Sequence, residues 1–181
     1  MNPDHFPVTR DDVVVNLGAH QGRLTLHYAA KARRVISVEP VKENYDRLID
    51  AVKATGLSNV TLHRAAIGSE THKGVINIGT NSENHSTVRR FGGETRPVLI
   101  YSWDDLVTLI GEPRIRLAKV DVEGSEVEWL QGMTHTYPDC VIVEEHSRFG
   151  FYTLDRLLTQ LKAKGYTCTV EGLNVYGRRE V

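Results

Sequence analysis

Long apolar runs are missing from this chain of 181 residues. No stretch approaches the roughly 20 consecutive apolar residues that a membrane-spanning helix needs. The polar opening Met1-Asn2-Pro3-Asp4-His5 is not a secretory signal. Cysteine is nearly absent: Cys140 and Cys168 stand in separate strand-like runs with no Cys-x-x-Cys spacing, which leaves a disulfide framework or a thiolate metal site unsupported. Reduced core thiols are expected. An excess of charge is lacking as well, since 22 basic residues against 23 acidic ones leave a formal net charge of −1. That balance provides no basic footprint for nucleic acid or for an anionic membrane surface. Nor is there a repeat, a low-complexity tract or a linker to mark a domain boundary. The expectation is a soluble, cytoplasmic protein without nucleic-acid or membrane partners. With 40% hydrophobic residues, the chain can fill one core and is too short for two typical domains, so residues 1–181 are read as a single domain.

What is present is a regular alternation of strand and helix patterns, which means a parallel sheet with helices on both faces. Strands are expected at about 12–17, 34–39, 59–66, 115–122 and 141–146. Helices are expected at about 22–32 and 41–55, the second with the stripe Val41, Tyr45, Leu48 and Val52 and with Gly56 as its C-cap. Ser102 caps a further helix whose stripe is Trp103, Leu106, Leu109 and Ile110. A short helix ends near Gly132, and a last one carries Leu154, Leu157, Leu158 and Leu161. Between the third strand and the Ser102 helix lie two more strand-like runs, Val75–Ile78 and Val98–Tyr101, on either side of a polar loop from Gly79 to Pro97. Loops of that length inside a compact domain are functional lids or disordered. Two closing strands separated by Glu171-Gly172-Leu173 suit an antiparallel hairpin.

Two stretches carry the first chemical signal. Val13-Val14-Val15-Asn16-Leu17-Gly18-Ala19-His20-Gln21-Gly22 reads as strand, glycine turn and helix start, in which Gly18 and Gly22 let the backbone take φ > 0 and admit a ligand at close range. By itself such a turn reads better as a plain strand-to-helix connection. The second stretch, Val35-Ile36-Ser37-Val38-Glu39-Pro40, ends on a carboxylate about 20 residues after Gly18, where a ribose-binding acid stands in nucleoside-binding folds. Together they point to a nucleoside-containing cofactor. A parallel sheet closed by an antiparallel hairpin, rather than by a second mononucleotide half, separates a methyltransferase-type sheet from a dinucleotide dehydrogenase.

The chain resembles the FkbM-type methyltransferases through Asn16-Leu17-Gly18-Ala19-His20-Gln21-Gly22, Val38-Glu39-Pro40 with Asn44, Ala65-Ala66-Ile67-Gly68, and Lys119-Val120-Asp121-Val122-Glu123-Gly124-Ser125-Glu126. The likeness continues through Leu130-Gln131-Gly132 to Glu144-Glu145-His146. It implies a Rossmann-like, doubly wound α/β fold with a mostly parallel seven-stranded sheet closed by the hairpin. It also implies methyl transfer from S-adenosyl-L-methionine, usually to a hydroxyl of a sugar or secondary metabolite. Carried onto this sequence, the cofactor site comprises Asn16, Gly18, Ala19, His20, Gly22, Glu39, Pro40, Asn44, Ala66, Ile67 and Asp121. Two departures stand out. The family usually has Asp where this chain has Asn16, an amide that keeps the hydrogen-bonding role without the charge. The chain also opens about a dozen residues before its first strand, where such enzymes often carry helices over the substrate. The acceptor site is then open, roofed by residues 79–97, or completed by another subunit of a homo-oligomer.

The residues themselves place ligands beyond the carboxyl ends of the strands, a rim that gathers Gly18, Glu39, Ala66, Asp121 and Glu144. Asp121, Glu123, Glu126, Glu144 and His146 crowd its acceptor side. Methyl transfer to oxygen requires positioning the acceptor and removing its proton. His146 is expected to be that base, because imidazole titrates near working pH, with Asp121 orienting the acceptor or the base and Glu144 and Lys119 beside them. Lys119 and Asp121, two apart on one strand face, read equally as a structural ion pair. Glu126 reads as a helix-start carboxylate. A divalent metal among these acids and His146 is the lesser reading, and no metal ligands are assigned. A nicotinamide-dependent enzyme and a methyltransferase-like binding module without turnover are the alternatives.

Overall fold

A computed structural model describes residues 1–79, 85–88, 94–150 and 152–180. The first βαβ unit runs β1 (Val13–Leu17), α1 (Arg23–Ala29) and β2 (Arg34–Val38), and α2 (Lys42–Thr55) leads on to β3 (Val60–His63). β1 is wholly buried and β2 nearly so, as expected of strands covered on both faces. Next come β4 (Ala66–Gly68), β5 (His72–Ile78), β6 (His85–Ser86), β7 (Thr95–Ser102) and α3 (Trp103–Ile110). The chain then returns through β8 (Leu117–Val120), α4 (Glu126–Gln131), β9 (Cys140–Glu144), a 3-10 turn at Ser147–Phe149 and α5 (Leu154–Ala163), and closes with β10 (Tyr166–Glu171) and β11 (Asn174–Arg179).

The main sheet has seven strands in the order β10-β11-β9-β8-β1-β2-β3. β8, β1, β2, β3 and β9 are parallel, whereas β11 pairs antiparallel with both β10 and β9. This is the doubly wound sheet with a closing hairpin that the sequence predicts. The chain reverses its strand order at β1 and β8, so the exits of those two strands open a crevice on one rim. The larger core cluster joins Val15, Leu17, Val120 and Val143 of the sheet to Trp103, Trp129, Leu157 and Leu161 of the helices on one face. A second joins Val14, Val35 and Ile142 to Leu24, Tyr28 and Phe6 on the other.

Three expectations are corrected. The third strand stops at His63 rather than 66, because β3 lies at the sheet edge and Ala66–Gly68 instead pair in parallel with β7, in a second sheet of order β4-β7-β5-β6. In α3, Leu109 faces solvent at 55% exposure while Val107 packs inward, since positions 103, 106, 107 and 110 share one helical face. The polar stretch 79–97 is not one loop: His85–Ser86 pair with β5, and β7 begins at Thr95. Its segments 80–84 and 89–93 lie outside the described residues. Ser102 caps α3 as expected, its side chain accepting from Asp105 N. Both cysteines are free thiols, with Cys140 buried.

Candidate functional site

The crevice is a cavity of about 700 Å³ at the carboxyl ends of β1, β2 and β8. Every residue of the expected cofactor set except Gly22 lines it: Asn16, Gly18, Ala19, His20, Glu39, Pro40, Asn44, Ala66, Ile67 and Asp121. Gly22 acts from behind. It starts α1 with φ 98°, and a Cβ there would come within 2.8 Å of Leu48 Cδ1, so it permits α1 and α2 to pack closely. Gly18 has a harder constraint, with φ 74° and an added Cβ only 1.7 Å from the Asp121 carbonyl oxygen. The first turn and the β8 exit therefore touch through a position only glycine fills.

On the β1–β2 side the polar groups are pre-positioned. Glu39, 5% exposed, accepts from the His20 backbone N–H at 2.8 Å and the Val41 N–H at 3.0 Å. Burial raises its pKa to about 7, against the opposing bonds from Val41, His20 and Asn44. Asn16 donates through Nδ2 to Thr25 Oγ1 at 3.1 Å, and Thr25 in turn bonds Ser37 Oγ at 2.8 Å. That fixes the amide and leaves its Oδ1 buried without a protein partner, as is His20 Nε2. Orphaned buried polar atoms on a cavity wall are what a polar ligand would complete.

The β8–β9 side is a charge cluster. Lys119, 2% exposed, donates to Asp121 Oδ2 at 2.9 Å. His146 Nδ1 bonds the fully buried Glu126 at 2.7 Å, while its Nε2 stands 3.5 Å from Glu123 Oε2 and 3.9 Å from Asp121 Oδ1. Burial alone would lower the His146 pKa, but the Glu126 hydrogen bond and the charges of Glu126, Glu123 and Asp121 outweigh it and raise it to about 9. The raised pKa favours the protonated ring, which weighs against the expected role of His146 as the base, and the ring lies beside the cavity rather than among its lining residues. Glu126 does sit at the start of α4, accepting from Gly124 N, and it also holds the imidazolium.

Glu123 is the residue that the sequence reading undervalued. It lines the cavity with its side chain 20% exposed. Burial and the neighbouring acids push its pKa up to about 7 even though His146 opposes them. Its φ of 51° is left-handed, a conformation shared among the described non-glycine residues only by His20. The signal available in the sequence was Gly124, which marks a turn tight enough to strain its neighbour. Glu144 also lines the cavity, with its pKa raised by burial and by Asp121. Ligand atoms of Asp121, Glu144 and His146 lie within 4.8 Å of one another. From the second sheet, His85 and Thr87 reach the cavity, Ser86 Oγ donates to the Glu123 carbonyl at 2.7 Å, and Thr87 Oγ1 bonds Ser125 Oγ at 2.7 Å.

Comparison with known proteins bears on this arrangement. The family model for the methyltransferase FkbM domain matches residues 16–168. The hexuronic acid methyltransferase AglP of Haloferax volcanii is 29% identical over 156 residues, covering 84% of this chain and 63% of that protein. Methyltransferase 1 of Beauveria bassiana is 24% identical, covering 93% of this chain and 77% of that one. Among solved structures, an FkbM methyltransferase from Methylobacillus flagellatus superposes with a TM-score of 0.66 at 17% identity, covering 96% of this chain and 45% of that chain. A Streptococcus mutans protein solved in complex with SAH superposes at 0.58 with 8% identity, covering 94% of this chain and 90% of that one. These superpositions concern the fold. The chain spans less than two thirds of the Haloferax and Methylobacillus proteins.

Proposed function

This chain belongs to the FkbM methyltransferase family, and from that membership we propose that it methylates a hydroxyl oxygen on a sugar or secondary metabolite, with S-adenosylmethionine as donor. The observation that carries the reading is the division of one cavity into a half built for a nucleoside amino acid and a half built for proton removal. Asn16 Oδ1, buried and without a protein partner, suits the ammonium of the cofactor's amino acid end. Glu39, held by two backbone N–H groups, keeps lone pairs for both ribose hydroxyls. When bound, the cofactor supplies a methyl group on a sulfonium, an electrophile that reacts by in-line displacement. Asp121, locked by Lys119, orients the acceptor hydroxyl, and the neighbouring acids help to remove its proton. The relative that methylates a hexuronic acid supports a sugar acceptor.

Calorimetry with S-adenosylhomocysteine and with NAD tests the cofactor half, and tighter binding of NAD would overturn the methyltransferase reading. Transfer of radiolabelled methyl from S-adenosylmethionine to methyl hexopyranosides and free hexuronic acids tests the acceptor half. Cofactor binding without transfer to any of these probes would sink the sugar-hydroxyl assignment.

A further inference from the structure

We propose that the Glu123 carboxylate is the group that takes the acceptor's proton, with His146 as the positioning residue that orients it. The proposal rests on the methyltransferase reading above and deepens it.

The candidates along the wall differ in what already occupies them. Asp121 has one oxygen bound to the Lys119 ammonium. His146 is bound through Nδ1 to Glu126, and its Nε2 faces Glu123 and Asp121. Glu123 stands at the cavity wall with the imidazolium edge 3.5 Å from Oε2, which leaves its second oxygen for the acceptor hydroxyl. Its backbone is left-handed, and the peptide that follows it is held at both ends: Ser86 Oγ donates to the Glu123 carbonyl at 2.7 Å, and Glu126 accepts from Gly124 N at 3.2 Å. Strain of this kind persists only where the surroundings over-determine it, and it concentrates where a side chain must be aimed.

The charged groups facing Glu123 come from three elements: Asp121 at the β8 exit, Glu126 on α4, and Glu144 with His146 at the β9 exit. Burial and then the acids raise its proton affinity and His146 limits the rise, leaving it close to neutrality, where a general base is most effective. In the step itself the acceptor O–H bond breaks and its proton passes to the carboxylate of Glu123. The acceptor oxygen bonds the methyl carbon as the carbon–sulfur bond opens, and that electron pair stays on sulfur as a neutral thioether. The His146 charge does not change.

Two measurements decide this. In ¹³C and ¹⁵N NMR of the labelled full chain, the carboxyl resonance lost in Glu123→Gln should titrate near pH 7, while the His146 ring stays doubly protonated at pH 8. A ring that loses its proton below pH 7 while Glu123 titrates as an ordinary carboxylate would overturn the assignment. With the methyl hexopyranoside that the wild type methylates fastest, Glu123→Gln should lower kcat about 100-fold or more and abolish the acidic limb of the pH–rate profile, with cofactor affinity kept. In His146→Gln the limb should survive and move to higher pH, since the cation that holds Glu123 down is gone. An acidic limb retained in Glu123→Gln, or lost in His146→Gln, refutes the proposal. If no hexopyranoside is methylated, the sugar acceptor falls with the preceding section, and an ordinary carboxylate titration of Glu123 still refutes the proposal.

Discussion

Glu39 and His146 are both buried with pKa values raised above their ordinary ones, the first bearing on ligand binding and the second on stability. Ribose hydroxyls donate to a carboxylate, so binding favours ionised Glu39, and a group that is part-protonated near pH 7 should release a proton when S-adenosylhomocysteine binds. Calorimetry at pH 7 in buffers of different ionisation enthalpy reads that release, which should vanish in Glu39→Gln along with about 1.5 to 3 kcal/mol of affinity. His146 acts on stability. Its folded pKa of about 9 lies above the unfolded value of 6.5, so its contribution is fully present below pH 6.5 and is lost as pH rises through 9. That loss is on the order of 3 kcal/mol. Urea unfolding from pH 6.5 to 9.5 should show a falling midpoint in the wild type, and a flatter dependence in His146→Gln would assign the slope to this residue. The sequence revealed which residues gather here but not their charge states. Lys119 and Asp121 could be paired from their spacing alone. The Glu126–His146 contact joins positions 20 apart through the packing of α4 against the β9 exit, and only the fold creates it.

Elements differ in how plainly their residues announced them. The helices α3 and α5 were legible because each has a cap and a stripe, Ser102 and Thr153 accepting from the backbone N–H three residues on. The second sheet was not, because β4 and β6 are three and two residues long and have no period of their own. They exist through pairing with β7 and β5. The α3 start holds a further contact that spacing could not reveal: Asp104 accepts from the backbone and hydroxyls of Thr134 and Thr136 and from His135 N, at 2.6 to 3.0 Å. Despite the desolvation that opposes it, this holds the carboxyl down to about 2 and ties the segment after α4 to the first turn of α3. Asp104→Ala should lower stability by about 2 to 3 kcal/mol at pH 7, read as a drop in urea midpoint at unchanged slope. For a depressed carboxylate the contribution is present above its unfolded value of 3.8 and is lost as pH falls through 2. The gap between wild type and variant should therefore close in acid, and a constant gap would mean that packing, not charge, is what Asp104 supplies.

At the scale of the whole molecule, the cavity is where parts distant in sequence meet: the βαβ unit brings Asn16 and Glu39, β8 and β9 bring the charge cluster, and the second sheet closes over the β8 exit through Ser86 and Thr87. A ligand spanning that crevice bridges the β1–β2 and β8–β9 sides of the rim and binds only the folded chain, so it should stabilise the whole fold. At a concentration 100 times its Kd, S-adenosylhomocysteine should add about 2.7 kcal/mol, which raises Tm by roughly 5 to 10 °C for a chain of this size. NAD at the same concentration should leave Tm within a degree, because the sheet closes with an antiparallel hairpin where a dinucleotide's second half would need another parallel unit. Gly18→Ala distinguishes a ligand effect from a general one. Its Cβ would drive the first turn away from the Asp121 carbonyl, 1.7 Å distant, and so spread the two halves of the cavity apart. The variant should melt below the wild type and lose the ligand-dependent rise. If Gly18→Ala retains the full rise, the ligand is bound by one half of the crevice alone, and the division of labour between β1–β2 and β8–β9 is wrong.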